Sequence, residues 1–213
     1  STIRQSFSVV FDGLQNYAGG QFKKMQLNGY VLTSDVAGFA ATEKILSAAF
    51  NGREIQVNWV HEPDRKKHFF SIDSLERQPE NTTELKIEWN GDPLKVQSQG
   101  NENFKIPALN EFSILSAKVI SDPEQHVEVR FSDPVLKSQD ITGLITLADG
   151  TDLRLAIENN VVSCWPSQIL AGEIDLNVHE GIENISFNKL KKTETFRLQF
   201  ESVKPAVRFL GKG

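Results

Sequence analysis

Large apolar residues recur at every second position through most of this chain, and that period constrains its fold more than any other feature. Ile55, Val57 and Trp59 share one face of an extended segment, as do Leu85, Ile87 and Trp89. The same holds for Val127, Val129 and Phe131, for Ile174, Leu176 and Val178, and for Phe196, Leu198 and Phe200. The intervening residues are polar, among them Gln56, Lys86, Glu128, Asp175 and Arg197. Strands with one buried and one wet face carry this alternation. Turn signals separate them: Asn51-Gly52, Asn90-Gly91-Asp92-Pro93, Asp149-Gly150 and Asn159-Asn160.

The pattern predicts an all-β chain of two tandem Ig-like β-sandwich domains, the first with one short helix. At 213 residues the chain exceeds one small sandwich and suits two domains of about 100 residues each. The second half tiles as seven strands, 112–120, 125–132, 143–148, 152–157, 160–165, 172–178 and 195–201, the number a complete Ig-like sandwich needs. The first half reads as strands near 5–12, 28–33, 54–60, 67–74, 83–89, 93–98 and 102–106. Between 35 and 52 the apolar residues Val36, Phe39, Ile45, Leu46, Ala49 and Phe50 follow three- and four-residue spacing, with Asp35 as N-cap and Gly52 as stop. That predicts a short helix near 36–50. The short, proline-bearing segment Pro107-Ala108-Leu109-Asn110 sets the boundary, giving domains at 1–108 and 109–213. A faint echo, Phe70-Ser71-Ile72 with Asp92-Pro93 against Phe112-Ser113-Ile114 with Asp133-Pro134, reads as shared turn chemistry rather than a repeat.

Composition excludes some partners. A net charge of −5 supplies no basic excess to neutralise phosphates, so nucleic acid is not an expected partner. No apolar run approaches the length of a membrane span. The single cysteine, Cys164, rules out an intramolecular disulfide framework. The first residues, Ser1-Thr2-Ile3-Arg4-Gln5, do not form a signal peptide, which fits a cytoplasmic protein or a mature piece of an exported one.

Candidate chemistry is sparse, and no catalytic, cofactor-binding or metal-ligating residue is assigned. His61 and His68 flank the charged tip Pro63-Asp64-Arg65-Lys66-Lys67; a metal pair across a hairpin is weighed against two solvated turn histidines, and the second reading is preferred because zinc wants further ligands. His126 and His179 have no ligand-spaced companion. Cys164 shares a strand face with Val162 and reads as a small buried hydrophobe. Asp133, Asp140, Asp149 and Asp152 cluster in sequence, but Asp149-Gly150 is a hairpin signal and the spacing of a calcium loop is missing. Trp59 and Trp89 read as core, whereas Trp165, followed by Pro166, could lie at a surface. Gly19-Gly20 precedes no helix that could cradle a phosphate. Asn81-Thr82-Thr83 and Asn184-Ile185-Ser186 match the glycosylation sequon.

Three groups of residues carry a resemblance: Val127-Glu128-Val129-Arg130-Phe131-Ser132-Asp133-Pro134; Gln139-Asp140-Ile141-Thr142-Gly143-Leu144-Ile145; and Gly181-Ile182-Glu183-Asn184 with Pro205-Ala206-Val207-Arg208-Phe209-Leu210-Gly211-Lys212-Gly213. Gly29-Tyr30-Val31-Leu32-Thr33-Ser34-Asp35-Val36, Val57-Asn58-Trp59-Val60-His61 and Ile106-Pro107-Ala108 add to it from the first half. Together they resemble the Ig-like and macroglobulin-type modules near the N-terminus of bacterial α2-macroglobulin-like proteins of the Bacteroidetes type. The resemblance implies a large bacterial parent, periplasmic or anchored at the surface as a lipoprotein, built as a string of β-sandwiches that encloses proteases. Many members capture the protease through a Cys-x-Glu-Gln thioester. Here Cys164 is followed by Trp165-Pro166-Ser167, so none of the family's functional residues carries over.

The expectation is thus non-catalytic and cofactor-free: spacer or wall domains of a protease trap. Its partners would be adjoining domains of the same polypeptide and, through the parent, proteases. The competing expectations are a glycan-binding or adhesin module, which needs an exposed aromatic platform such as Trp165, and an ancillary domain of a surface hydrolase.

Overall fold

The computed structural model describes residues 6–17, 22–64 and 66–201. The chain is nearly all β and divides into two compact units, Ser1–Leu115 and Ser116–Gly213. Each holds two antiparallel sheets.

In the first unit, β1 (Phe7–Asn16), β2 (Lys24–Thr33), β6 (Lys67–Glu76) and β5 (Asn58–His61) form one sheet in that spatial order. The second sheet runs β4 (Arg53–Ile55), β3 (Leu46–Phe50), β7 (Thr83–Asn90), β8 (Gln99–Ile106). Alternation directs Met25, Leu27 and Val31 of β2, Phe70 and Ile72 of β6, and Leu85 and Ile87 of β7 into one shared core, all nearly inaccessible to solvent. Phe11 of β1 crosses between the sheets, its ring 6.0 Å from Trp89 and 5.1 Å from Phe104. Gly100 faces Trp89 in the register, and a side chain there would collide with the indole. The two tryptophans flank the core, half-buried, rather than filling its centre.

Three readings of the first half need correction. The helix near 36–50 is a single turn, α1 (Phe39–Thr42), and 46–50 is strand β3. Leu46 and Ala48 are buried while Ser47 between them is exposed, so the apolar spacing mixed one helical turn with a period-two strand. The segment 54–60 is two strands on different sheets: Ile55 pairs with Ala48, Trp59 with Phe70. The segment 93–98 is no strand. Pro93, which lacks a donor N–H, opens the 3-10 turn Asp92–Leu94, and Lys95 closes it in the left-handed region at φ 59°.

In the second unit all seven expected strands form. One sheet runs β12 (Leu153–Glu158), β13 (Val161–Pro166), β10 (His126–Phe131), β9 (Ile114–Ile120), the last beginning in the first unit. The other runs β11 (Ile145–Leu147), β14 (Gly172–Val178), β15 (Glu194–Phe200). Val127, Val129, Phe131, Val162 and Cys164 are the buried positions of the first of these sheets, and Ile145, Leu147, Leu176, Val178, Leu198 and Phe200 those of the second. The predicted turns are in place: Gly150 adopts φ 79° and Asn159 φ 57°. The echo between 70–95 and 112–137 is not structural, since Phe70 lies inside β6 whereas Phe112 precedes β9.

The expected boundary at 107–110 lies within the first unit, whose last contacts extend to Leu115. Among the described residues no helix is long and apolar enough to cross a membrane. Gly19-Gly20 and the apolar segment ending at Gly213 lie outside the described residues.

Candidate functional site

The two histidines at the charged tip are not solvated. His61 of β5 and His68 of β6 are register partners, and His68 is fully buried. Alternation explains it: His68 is in phase with Phe70 and Ile72, so its ring points into the core. The two Nδ1 atoms are 2.8 Å apart, a hydrogen bond in which one ring donates and the other accepts. His61 Nε2 lies 3.0 Å from Glu43 Oε1, at the end of α1, and the Phe39 ring stacks on His61 at 4.3 Å and 7°. Each ring therefore has its Nδ1 lone pair or proton turned on the other. The arrangement is a polar clasp that holds α1 to the sheet; no third ligand converges on the two Nδ1 atoms, and among the described residues no metal-holding cluster of acids, histidines and cysteines occurs.

Three of the segments that carry the sequence resemblance, 127–134, 139–145 and 181–184, lie in the second unit and are linked there by hydrogen bonds, partly through neighbouring residues. Phe131 N–H donates to Asn160 O at 2.8 Å, and Asn160 Nδ2 returns a bond to Phe131 O at 2.8 Å. Ser132 is fully buried and its hydroxyl donates to Asp133 at 2.6 Å. Pro134 O accepts from Ile185 N–H at 2.9 Å, and Leu136 N–H donates to Glu183 O at 2.8 Å. Gln139 spans the same loop: its Nε2 donates to Gly181 O at 2.9 Å and its Oε1 accepts from Glu183 N–H at 2.8 Å. Asn184, 2% exposed, accepts from Ser186 N–H and Asn188 N–H through one oxygen. Its amide is committed to holding the loop, so the second sequon is a structural corner.

Trp165 stands on the outward side of its sheet, out of phase with the buried Val162 and Cys164. β13 lies between β12 and β10. Arg154 from β12 places its guanidinium 4.2 Å from the indole centroid, and His126 from β10 stacks at 5.4 Å and 24°. The two neighbours flank the indole from opposite strands, so Trp165 is a covered ring and not an open platform.

The remaining candidates serve the fold. Cys164 is buried, and burial pushes its thiol up to about 12. Asp149 accepts from Thr151 N–H and Thr151 Oγ1 in its own turn. Asp140 accepts from Thr142 N–H at 2.9 Å, and that bond, helped by the Thr142 side chain, holds its carboxyl below the usual range. His179 Nε2 pairs with Thr146 Oγ1 at 3.1 Å.

A buried arginine, unforeseen in the sequence, also belongs here. Arg77, 4% exposed, donates to the carbonyls of Phe22, Pro107, Ala108 and Glu111.

No protein family model and no curated protein matches the chain. Among solved structures it is similar to a chimeric titin Z1Z2 functionalized with a KLER exogenous peptide from decorin, at 12% identity over 95% of this chain and 100% of that one, with a TM-score of 0.27. Titin domains Z1Z2 in complex with telethonin match at 12% identity over 96% and 100%, TM-score 0.27. A chimeric titin Z1Z2-Z1Z2 tandem carrying a GRGDS peptide from fibronectin matches at 10% identity over 84% and 93%, TM-score 0.24. At these TM-scores the likeness carries no weight for fold or function.

Proposed function

We propose that the chain forms two non-catalytic, Ig-like β-sandwich modules of a large extracytoplasmic α2-macroglobulin-like protease inhibitor, acting as spacer or wall of the trap. One observation carries the reading. Of the segments that resemble that family, 139–145 and 181–184 are joined by the Gln139 side chain, and 131–134 is tied to their surroundings through Pro134 to Ile185 and through the adjoining Leu136 to Glu183. Their chemistry is spent on architecture: amides bind carbonyls and the Ser132 hydroxyl binds a neighbouring carboxylate. A module whose polar residues hold corners suits a structural wall. Cys164, buried and protonated at neutral pH, is unsuited to form a thioester.

The test is the parent polypeptide. Its native gene, sequenced on both sides of this segment, should encode a long run of β-rich domains. Purified and incubated with a general protease, the parent should block hydrolysis of a large protein substrate while sparing that of a small peptide. A catalytic domain in the same gene, or full proteolysis of the large substrate, would overturn the proposal. The glycan-binding alternative built on Trp165 loses ground because the Arg154 guanidinium and the His126 ring already pack against the indole.

A further inference from the structure

β12 is an edge strand of its sheet, paired with β13 on one side. The hydrogen-bond phase fixes which of its residues are left over. Ser167 N–H donates to Asp152 O, and Phe131 N–H donates to Asn160 O. In an antiparallel ladder the bonded positions alternate, so odd positions of β13 bond β12 and even positions bond β10. The register then commits Arg154, Ala156 and Glu158 to β13. Leu153, Leu155 and Ile157 turn their N–H and C=O groups outward along the open edge. Among the described residues no hydrogen bond reaches those groups.

Natural sheets blunt such an edge with a proline, a bulge, a very short strand or an inward-pointing charge. β1 is bulged between Phe11 and Gly13, and β4, β5 and β11 are three or four residues long. β12 carries none of these devices. It is six residues long, it contains no proline, and its register with β13 is unbroken. Its charged side chains, Arg154 and Glu158, are exposed on the outer face, and the inward Leu153, Leu155 and Ile157 are only half-buried.

We propose that β12 pairs antiparallel with β12 of a second copy of this chain, centred on Ala156, and joins the two sheets edge to edge. The strand's self-complementarity selects that occupant. A ladder bond needs open positions on both strands, so residues facing each other across a twofold axis must both be odd or both be even. Centring on Ala156 meets this condition: Leu155 faces Ile157 of the second copy, and the reverse, and each such pair exchanges two bonds. The same register sets Arg154 opposite Glu158 of the second copy, twice by symmetry. Those two pairs are not bonded through the backbone, so their side chains come closest, and opposite charges there stabilise the pairing. The Arg154 guanidinium is already held 4.2 Å from the Trp165 ring centroid. Ala156 meets itself on the axis, where a larger side chain would crowd. Other long edges do not match themselves in this way. On β15 the central Arg197 would face its own copy, and on β8 the opposite charges Glu102 and Lys105 differ in parity. The contact is small, so the dimer is weak. A wall needs no self-pairing edge, and the inference goes beyond that reading.

Sedimentation of the whole 213-residue chain from micromolar to millimolar concentration tests this. A concentration-dependent monomer–dimer equilibrium is expected. Arg154→Glu alone sets carboxylate against carboxylate, and Glu158→Arg alone sets guanidinium against guanidinium. Each should weaken the dimer by about tenfold. An equimolar mixture of the two variants should dimerise again, because each chain then meets the opposite charge at both positions. Circular dichroism and melting confirm that each variant folds. Amide exchange locates the contact: Leu155 and Ile157 should slow as the dimer forms, whereas Arg154 and Ala156 are protected already in the monomer. A chain that stays monomeric at millimolar concentration overturns the proposal. So does a dimer indifferent to both charge reversals, a mixture that stays monomeric, or slowed exchange on another strand in place of β12.

Discussion

Arg77 Nη2 donates to Ala108 O at 2.7 Å, and through this contact a buried guanidinium ties the end of the first unit's strands to the loop after β6. Nε reaches Pro107 O at 3.0 Å, Nη1 reaches Phe22 O at 2.9 Å, and Nη2 also reaches Glu111 O at 3.1 Å. Leu109 N–H answers with a bond to Gln78 O at 2.8 Å. The fork of donors replaces water for four carbonyls that no strand partner satisfies. It also explains why Pro107-Ala108-Leu109-Asn110, which has the composition of a linker, behaves as part of the first unit.

Replacing Arg77 should therefore unfold that unit early. Arg77→Ala leaves several carbonyls without donors and is expected to cost about 3 kcal/mol. Arg77→Lys keeps the charge but not the fork and should recover only part of the loss. Urea unfolding followed by tryptophan fluorescence reads the change, and a loss below about 0.5 kcal/mol for Arg77→Ala would show that water serves the carbonyls equally well.

The His61–His68 contact pairs two rings across 2.8 Å, one Nδ1 donating and the other accepting. His68→Leu removes one partner of that bond from the buried position, leaves His61 Nδ1 to find water, and should lower the melting temperature of the first unit. Added zinc should leave melting of the native chain unchanged, because the two Nδ1 atoms are committed to each other. A zinc-dependent rise in melting temperature would mean that the rings part to chelate.

How much of this was legible in the sequence depended on whether alternation and turns agreed. In the second unit they did: Val127-Val129-Phe131 and Ile174-Leu176-Val178 form strands, and Asp149-Gly150 turns where its chemistry requires. In the first unit the phase of Ile55, Val57 and Trp59 runs unbroken although the chain changes sheets between Ile55 and Asn58, because alternation records burial and not the partner strand. The burial of His68 was readable from its phase with Phe70 and Ile72. Arg77 gave no signal: arginine is ordinarily exposed, and its acceptors lie 30 to 55 residues away in the chain.

Cys164 should be inert while the chain is folded. Its side chain is fully buried in β13, with Sγ 3.8 Å from Val162 O, and burial raises the thiol from its ordinary 9.0 to about 12. An aromatic disulfide reagent should react at the rate of global unfolding, and at full speed in denaturant. Because the folded value is raised, the thiol's contribution is complete below pH 9.0 and is lost as pH climbs towards 12. Cys164→Ala should remove that alkaline loss at a modest packing cost, whereas rapid labelling of the native chain would place the thiol at the surface.

Asn184 gives the sharpest test of the hydrogen bonds that link the resemblance segments. Its Oδ1 accepts from Ser186 N–H at 3.0 Å and Asn188 N–H at 2.9 Å, while Phe187 between them is held in the left-handed region at φ 60°. A bulky residue reaches that conformation only under constraint, at roughly 1–2 kcal/mol. Asn184→Ala removes the acceptor that imposes it, leaving two N–H groups to find water. The loop should relax, and with it the bonds from Ile185 to Pro134 and from Leu136 to Glu183. The expected loss is about 2 kcal/mol in the second unit, with faster amide exchange at Leu136, Ile185 and Asn188. Asn184→Asp keeps the acceptor oxygen and should retain most of the protection. If Asn184→Ala leaves those amides as protected as before, the corner is held by its backbone alone, and the resemblance residues around it owe their pattern to something other than these bonds.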